Sequence, residues 1–414
     1  MNRLAIFGAL PLLLMIALPA GGTEWHVYEG QSIQAAVDGA APGDTITVHA
    51  GEYNQSVVIQ TDGLTLRGLV GAILDGTPPA DLGTSLGWHG IKIRANHTNI
   101  KGLEIREYTG PGYGRGNGIL SWSWPGDDAF SFNTVEDCRI HDNRWGAVLV
   151  GNHGIGLHEG WNIRNNVVYG HKYSSIAIIN GKDCKIEQNE VTGGEVGILV
   201  MACNSFENEL TSSGIEVVGN TVSTATGDPE TGNFGIGVAM IAINPDIDEL
   251  PDYVPVPGAS AVLEDIMVRD NHVYESSGGI CSGGICVGAV PAPEEQYNVV
   301  RLAVMEENEV NGNTGCGIAF AYVDEATVSG NVVYGNGTYS IAMVNGKDCY
   351  IQQNEVTGGE VGILVSACNS FEGSGELTSW GIEVADNTVS DAAGEVGIGV
   401  AAVAINPDTS ELPD

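Results

Sequence analysis

The chain has 414 residues and carries 52 Asp and Glu against 16 Lys and Arg, a formal net charge of −36. Because 43% of its residues are hydrophobic and 16% are charged, the composition excludes a disordered chain and favours a large apolar core. We expect no nucleic-acid partner, since backbone phosphates must be met by Lys and Arg. The 59 glycines show no three-residue period, which excludes collagen and indicates many tight turns.

Residues 1–22 are typical of a signal peptide. Arg3 precedes an apolar run from Leu4 to Ala20, which ends in the small residues Ala20-Gly21-Gly22. We therefore predict a mature chain, residues 23–414, that starts near Thr23 and is secreted or lies at the cell surface. An uncleaved anchor is the alternative, although the run is short for a membrane span and contains two prolines. We expect no transmembrane span after signal removal.

The segment after the predicted cleavage site indicates a short capping helix. Ser32 is a suitable N-cap, and Ile33, Ala36 and Val37 fall on one helical face. The alternating Thr45-Ile46-Thr47-Val48 then predicts a strand. A helix over the first layer of a repetitive sheet would block its unpaired edge.

A repeat of about 23 residues dominates the rest of the chain. An Asn that follows an apolar residue by three positions recurs at Asn143, Asn166, Asn189, Asn220, Asn271, Asn308, Asn331, Asn354 and Asn387. Short alternating runs bounded by Gly, Asn or Asp lie between these positions, which predicts strands of three to five residues. Such a unit buries its inward face only by stacking on its neighbours. The pattern therefore predicts an all-β, parallel β-helix (β-solenoid), in which each Asn adopts a left-handed backbone and bonds the adjacent coil.

A larger duplication overlies these coils. The sequence from Ser175 to Glu207 recurs almost unchanged from Ser340 to Glu372. We place the duplicated blocks at about 166–252 and 331–414 within one continuous β-helix. The final residues match the middle of the first block, so we expect a partner or further coils at the C-terminal end.

Eight cysteines are spread along the chain. Cys138, Cys184 and Cys349 each precede an apolar residue by two positions, as expected for thiols in a stacked core. Cys281 and Cys286 are the best candidates for a local disulfide, and a zinc site is disfavoured because no second Cys or His pair accompanies them.

The sequence SIQAAVDGAAPGDTITVHAGEY, from Ser32 to Tyr53, followed by Asn-rich coils, resembles the exported pectin-lyase-like right-handed parallel β-helix superfamily. The resemblance covers essentially the whole mature chain. It implies the right-handed fold, and it implies polysaccharide as the leading ligand class. Members include polysaccharide lyases, glycoside hydrolases, uronate epimerases, copper-delivery proteins and non-catalytic surface proteins, so fold alone does not decide function.

Basic and aromatic residues concentrate between residues 85 and 190, which hold 11 of the 16 Lys and Arg, five of seven Trp and six of nine His. Aromatic rings stack on sugars, and cations pair with uronate or sulfate groups. We therefore predict an acidic polysaccharide as ligand. The predicted ligand-binding residues are Trp88, Trp122, Trp124, Trp145, Trp161, Arg115, His171 and Tyr173; the alternative is that they fill wide coils and cap loops.

Two sets of residues are candidates for catalysis. Asp127 and Asp128, with His153 about one coil later, resemble the arrangement of polygalacturonase-like hydrolases, although the Asn-Thr-Asp and Arg-x-Lys motifs of those enzymes are missing. A lyase or epimerase would instead use His141, Arg144, His171, Lys172 or Tyr173 to neutralise a uronate and remove its C5 proton. Each of these residues is also compatible with a solvated turn.

An acidic loop is the candidate metal site. Asp246, Asp248 and Glu249 could bind Ca²⁺ through oxygen ligands, although solvated acidic loops are commoner. The scattered methionines disfavour copper delivery.

Three hypotheses follow from the sequence. The leading one is an exported or cell-surface β-helix that binds acidic polysaccharide without turnover. The first alternative is a polysaccharide lyase or uronate epimerase, ahead of a glycoside hydrolase, and the second is a purely structural surface protein.

Overall fold

The computed structural model describes residues 22–77, 88–110, 115–124, 127–152, 154–204, 209–223, 234–242, 260–276, 283–289, 299–369, 379–394 and 396–404. One helix and 41 strands occur in these ranges. The first part of the chain contains β1 (Glu24–Val27), α1 (Ile33–Gly39), β2 (Thr45–Val48), β3 (Gly51–Tyr53), β4 (Val57–Ile59), β5 (Thr65–Gly68), β6 (Ala72–Asp75), β7 (Ile91–Ile93), β8 (Asn99–Lys101), β9 (Glu104–Arg106), β10 (Asn117–Trp122), β11 (Thr134–Glu136), β12 (Arg139–His141), β13 (Gly146–Gly151), β14 (His158–Glu159), β15 (Asn162–Arg164), β16 (Val167–Tyr169), β17 (Ser174–Ile179), β18 (Gly181–Lys182), β19 (Lys185–Glu187), β20 (Glu190–Thr192) and β21 (Val196–Asn204).

The remaining strands are β22 (Glu209–Val218), β23 (Thr221–Ser223), β24 (Phe234–Ala242), β25 (Ser260–Arg269), β26 (His272–Tyr274), β27 (Gly283–Ala289), β28 (Val299–Arg301), β29 (Val304–Glu306), β30 (Glu309–Asn311), β31 (Cys316–Ala321), β32 (Val323–Asp324), β33 (Thr327–Ser329), β34 (Val332–Tyr334), β35 (Tyr339–Val344), β36 (Tyr350–Gln352), β37 (Glu355–Thr357), β38 (Val361–Asn369), β39 (Glu383–Ala385), β40 (Thr388–Ser390) and β41 (Val396–Ala404).

The strands form three parallel sheets, and each coil contributes strands to the three sheets in the same order. The predicted parallel β-helix is therefore confirmed. The first sheet begins with β1, β2, β5 and β8, the second with β3, β6, β9 and β12, and the third with β4, β7, β10 and β13. Every strand pairs with its equivalents in the adjacent coils. In the described residues, no helix is long and apolar enough to cross a membrane.

The inward face of every sheet is apolar, because alternate residues of each strand point into the solenoid. Ile176 and Ile178 of β17 are fully buried. They stack on Val148 and Val150 of the preceding coil, and Ile198 follows in the next. One continuous core therefore runs along the solenoid axis.

The helix α1 closes the N-terminal end, as predicted. The Ser32 hydroxyl accepts a hydrogen bond from the backbone N–H of Ala35, which caps the first turn. Ile33 and Val37 are buried in the same core as the strands. The first coil therefore does not expose its apolar interior at this end.

An asparagine ladder joins successive coils at the turn between the first and second sheets. In Asn331, Oδ1 accepts the backbone N–H of Asn308 at 3.0 Å, while Nδ2 donates to the carbonyl of Met305 and to Oδ1 of Asn354, both at 2.9 Å. The buried amide is thus fully hydrogen-bonded. The ladder consists of Asn166, Asn189, Asn220, Asn271, Asn308, Asn331, Asn354 and Asn387.

The assignment of Asn143 to this ladder is wrong. Asn143 follows β12, at the turn from the second sheet to the third, where its Oδ1 accepts the backbone N–H of Tyr108 at 3.0 Å. Cys138 holds the ladder position in that coil, since its N–H donates to Oδ1 of Asn166. The coil here is 28 residues long, as the pairing of Arg139 with Val167 shows.

The sequence analysis predicted a left-handed backbone at each ladder asparagine, but the structure does not place it there. The residue before each Asn has the positive φ, for example Gln188 (56°), Glu307 (55°) and Gln353 (56°). The bend at that residue turns the following Asn side chain inward, where it is buried.

Cys138, Cys184 and Cys349 are buried thiols, as predicted. Desolvation raises the pKa of Cys138 to about 12 and that of Cys184 to about 11, so both stay protonated and unreactive at neutral pH. Cys281 lies outside the described residues, so its disulfide with Cys286 stays a prediction.

Replacing Asn331 by Ala should lower the free energy of unfolding by about 2–4 kcal/mol, because it leaves the Met305 carbonyl and the Asn308 N–H without their buried partners. Urea denaturation followed by circular dichroism measures the loss. The exposed Asn54 provides the control, and Asn54→Ala should change stability by less than about 0.5 kcal/mol. Similar losses in both variants would contradict a structural ladder.

Candidate functional site

The predicted site residues lie along two opposite edges of the third sheet. Six of them occupy turns that lead from the second sheet into the third, and we call them the turn cluster: Trp88, Arg115, Arg144, Trp145, Lys172 and Tyr173. Four lie at the end of β10 or after it, where the chain leaves the third sheet, and we call them the loop cluster: Trp122, Trp124, Asp127 and Asp128. A six-residue strand separates the two edges by about 17 Å.

Backbone pairing stacks the turn cluster coil upon coil. The N–H of Trp145 donates to the Gly116 carbonyl at 2.8 Å, and the N–H of Tyr173 donates to the Trp145 carbonyl at 3.1 Å. Arg115, Arg144 and Lys172 therefore occupy successive layers at the strand spacing of about 4.8 Å. A column of three cations results.

Aromatic rings flank these cations. The Arg115 guanidinium lies 3.7 Å from the centroid of the Trp88 ring, and Nζ of Lys172 lies 4.8 Å from the centroid of Tyr173. Trp145 and Tyr173 pack against each other with their ring centroids 4.0 Å apart. Arg144 and Lys172 are exposed to solvent.

The charge environment of the turn cluster differs from that of most cations in the protein. Ion pairs with carboxylates hold Arg67, Arg94, Lys101, Arg106, Arg164, Lys182, Lys185, Arg269, Arg301 and Lys347. Among the residues that the structure describes, Arg144 and Lys172 have no carboxylate within 4 Å. In so acidic a chain, two exposed and unneutralised cations in adjacent coils make this edge attractive to an anion.

The loop cluster is organised around Asp127. Its Oδ1 lies 2.6 Å from Nη2 of Arg94, and its Oδ2 accepts the backbone N–H of Trp124 at 3.2 Å. Both oxygens of this carboxylate are therefore used in contacts that stabilise the loop. Asp128 is exposed, as is Trp124, whereas Trp122 packs against the small apolar cluster of Ile179, Met201 and Cys203.

A third group, around His141, lies on the outer face of the second sheet. The His141 ring stacks on Tyr169 with centroids 4.6 Å apart, while its Nδ1 lies 2.8 Å from Asp142 and its Nε2 lies 3.3 Å from Glu104. Arg139 donates to the Tyr169 hydroxyl from Nε at 3.0 Å and from Nη2 at 2.7 Å.

The sequence did not single out Tyr169, Arg139 or Glu104. His141 and Tyr169 are register partners 28 residues apart. The 23-residue repeat places these two side chains out of alignment, so the repeat gave no signal for their contact. A search for coils of unequal length would have been needed to find it.

Trp161 and His171 were predicted to bind ligand, but the structure buries both. Trp161 is 1% exposed, and its indole N–H donates to the Phe130 carbonyl at 2.7 Å. The His171 ring lies between the carbonyls of Asn143 and Ile140, and its burial lowers its pKa. We leave both out of the proposed site. Trp145 is also buried, at 8% exposed, and its part in the turn cluster is to pack against the ring of Tyr173.

Several candidates fall outside the described residues, namely His153 and the acidic loop residues Asp246, Asp248 and Glu249. The calcium site therefore stays a prediction. In the part of the chain that the structure describes, no three His, Cys, Asp or Glu side chains converge as metal ligands would.

Comparison with known proteins identifies the fold. Residues 258–408 match the family described as right handed beta helix region. The A-module of the Azotobacter vinelandii mannuronan C-5 epimerase AlgE4 superposes with a TM-score of 0.60 at 13% identity, over 92% of this chain and 100% of that one. No curated protein sequence matches the chain.

Two further solved structures show weaker likeness. The catalytic domain of a GH87 α-1,3-glucanase has a TM-score of 0.49 at 13% identity, over 93% of this chain and 69% of that one. Pectate lyase Pel9A has a TM-score of 0.43 at 14% identity, over 91% of this chain and 82% of that one. At these identities the likeness concerns the fold.

His89, in the turn before β7, predicts a pH dependence of stability. Burial, followed by Lys92 and Arg115, lowers its pKa from 6.5 to about 4, so the folded protein keeps it neutral. The unfolded chain takes up a proton below about pH 6.5 and the folded chain does not, so stability should fall by up to about 3 kcal/mol as the pH drops from about 6.5 to 4.

Urea denaturation of His89→Gln across this pH range should show a shallower loss of stability than the parent protein. His97→Gln, at an exposed position, is the control and should retain the parent's slope. An unchanged slope in His89→Gln would refute the assignment.

Proposed function

We propose that this chain, a member of the pectin-lyase-like right-handed parallel β-helix superfamily, is an exported protein that binds an acidic polysaccharide along the turn cluster. One observation carries the proposal: Arg144 and Lys172 stand exposed in adjacent coils with no carboxylate partner among the described residues, although the chain has 36 more acidic than basic groups. A polymer that repeats its negative charge can meet both cations at once.

The aromatic side chains of the turn cluster suit a sugar polymer better than an inorganic anion. Trp88 and Tyr173 are partly exposed beside the cations, and aromatic faces pack on the C–H face of sugar rings. The column runs along the solenoid axis, so an extended glycan lying parallel to that axis would contact one coil after another.

The internal duplication supports a single binding edge. The turn of the second block that corresponds to His171-Lys172-Tyr173 contains Asn336-Gly337-Thr338, so the cation of Lys172 is absent there. The mannuronan epimerase with the same fold makes uronate polymers the first ligands to test.

The double variant Arg144→Ala/Lys172→Ala should weaken binding to alginate or pectate by about tenfold or more, because it removes both unneutralised cations. Isothermal titration calorimetry measures the dissociation constant. The matched control is Lys182→Ala/Lys185→Ala, which removes the same charge from the first sheet, where both lysines are ion-paired.

The control should change the dissociation constant by less than about threefold, since ion-paired surface cations contribute little. Equal weakening in both double variants would show that binding depends only on the net charge of the protein, and it would overturn the assignment of the site.

Turnover of a uronate polymer is the second candidate function, and the group around His141 favours it. Two N–H donors of Arg139 hold the Tyr169 hydroxyl next to His141, whose other contacts are Glu104 and Asp142. Arg144 follows His141 by three residues, so a uronate bound there would lie near a hydroxyl and an imidazole. These groups could remove and return the proton at C5.

If turnover occurs, Tyr169→Phe should reduce product formation by about 100-fold, since one acid–base group is lost. Incubation with alginate and pectate, followed by absorbance of the unsaturated product and by NMR of the uronate composition, measures the rate. Tyr334→Phe is the control, because Tyr334 ends an equivalent strand of the second sheet and bonds Glu309. If the parent protein forms no product, the turnover proposal is refuted and binding without turnover remains.

A further inference from the structure

Asp44, in the turn before β2, is a buried carboxylate with three hydrogen-bond donors. Its Oδ1 accepts the backbone N–H of Thr23 at 2.6 Å, and its Oδ2 accepts Nε1 of Trp25 at 3.0 Å and the N–H of Ala41 at 2.9 Å. The residue is 6% exposed. These donors hold the pKa of Asp44 below its usual range, so the carboxylate is ionised.

The negative charge of Asp44 has no cationic partner. Within the described ranges, no Lys, Arg or His side chain forms an ion pair with it. The neighbouring Arg67 is already committed to Glu24, at 2.6 Å. A hydrogen bond to this carboxylate from a charged donor would be stronger than one from a neutral N–H.

The shortest contact of Asp44 is made by the nitrogen that follows the predicted leader. Ala20-Gly21-Gly22 has the small residues that signal cleavage requires, and Thr23 comes next. Gly22 is also crowded, because a Cβ at this position would lie 1.7 Å from the Gly43 carbonyl oxygen. A larger residue does not fit before Thr23 in the folded protein.

We propose that the peptide bond between Gly22 and Thr23 is the processing site, and that the amino group released there pairs with Asp44. In this step a signal peptidase adds water across the amide. The Gly22 carbonyl carbon takes the hydroxyl and the Thr23 nitrogen takes the hydrogen, which gives a carboxylic acid and an amine. The acid then gives up its proton and the amine takes one up, so the leader departs as a carboxylate and Thr23 carries an ammonium. The Thr23 nitrogen keeps its position at Oδ1 of Asp44 and gains a full charge.

The ion pair would fix the first strand only after the leader is removed. Strand β1 pairs with β2 from Glu24 opposite Thr45 to Val27 opposite Val48, and it forms the outermost layer of the first sheet. The other carboxylate of this strand, Glu24, bonds Thr47 and Arg67 and does not compete for the ammonium. Processing would therefore strengthen the end of the solenoid that α1 covers. This inference is independent of glycan binding.

The cleavage site is tested with the full chain, residues 1–414, expressed with its leader in a secreting bacterial host. Mass spectrometry of the exported protein should find Thr23 as the first residue. An uncleaved chain, or one that begins at another residue, overturns the proposal.

The ion pair is tested with residues 23–414 released from a fusion by a protease that cuts directly before Thr23. We expect the amino group to be acylated about tenfold more slowly at pH 7 than that of the Asp44→Asn variant, because a neighbouring carboxylate raises an amine pKa by about one unit from its usual 7.7–8.0. Equal rates would overturn the ion pair.

Asp44→Asn also weakens the bonds to Trp25 and Ala41, so a second comparison keeps Asp44 intact. Acetylation of Thr23 retains its N–H but removes its charge. Amide hydrogen exchange in β1 should be several-fold faster in the acetylated protein than in the free amine at pH 7, and the difference should vanish in the Asp44→Asn background. Equal protection of β1 in the acetylated and free proteins would show that the charge contributes nothing.

Discussion

Stacking of one coil on the next is the constraint on which the rest of this protein depends. A coil of short strands cannot bury its own inward face, so each layer is stable only against its neighbours. The ladder from Asn166 to Asn387 fixes this stacking at one corner, because each side-chain amide bonds a backbone group of the preceding coil and, up to Asn354, also bonds the next amide. Inserted residues are consequently confined to the other turns, where they do not interrupt the ladder.

The same stacking converts distant sequence positions into columns on the surface. Residues a coil apart come to lie about 4.8 Å apart, so charges on the outer faces are ordered along the axis. On the first sheet this order pairs Glu136 with Lys101 and Arg164. At the turn cluster it places Arg144 beside Lys172, and neither forms an ion pair with a described carboxylate. Glu195 lies in the next coil, where its backbone N–H donates to the Lys172 carbonyl. The proposed binding edge depends on this difference between columns of paired charges and a column of unpaired cations. The proposed ion pair at Asp44 likewise depends on a charge that has no partner of opposite sign.

The errors in the sequence analysis have two physical origins, of which the first is the unequal length of the coils. A 23-residue spacing assigned Asn143 to the ladder, whereas Cys138 occupies that position in a coil of 28 residues. The same error hid the contact between His141 and Tyr169. Burial was the second source of error. Trp and His are residue types that often bind ligands, but the sequence does not reveal that the ring N–H groups of Trp161 and His171 bond carbonyls inside the coil.

The sequence by itself determined the parallel β-helix, the N-terminal capping helix and the stacked core thiols, because periodic apolar residues and a Ser N-cap act through local and nearest-neighbour interactions. It also located the region where basic and aromatic residues gather. The tertiary structure alone decided which of them share an edge, since that depends on the number of residues each turn inserts between sheets. Trp124 and Arg144 are 20 positions apart in the chain, yet the width of the third sheet separates them, while Arg144 and Lys172 are 28 apart and lie in adjacent layers.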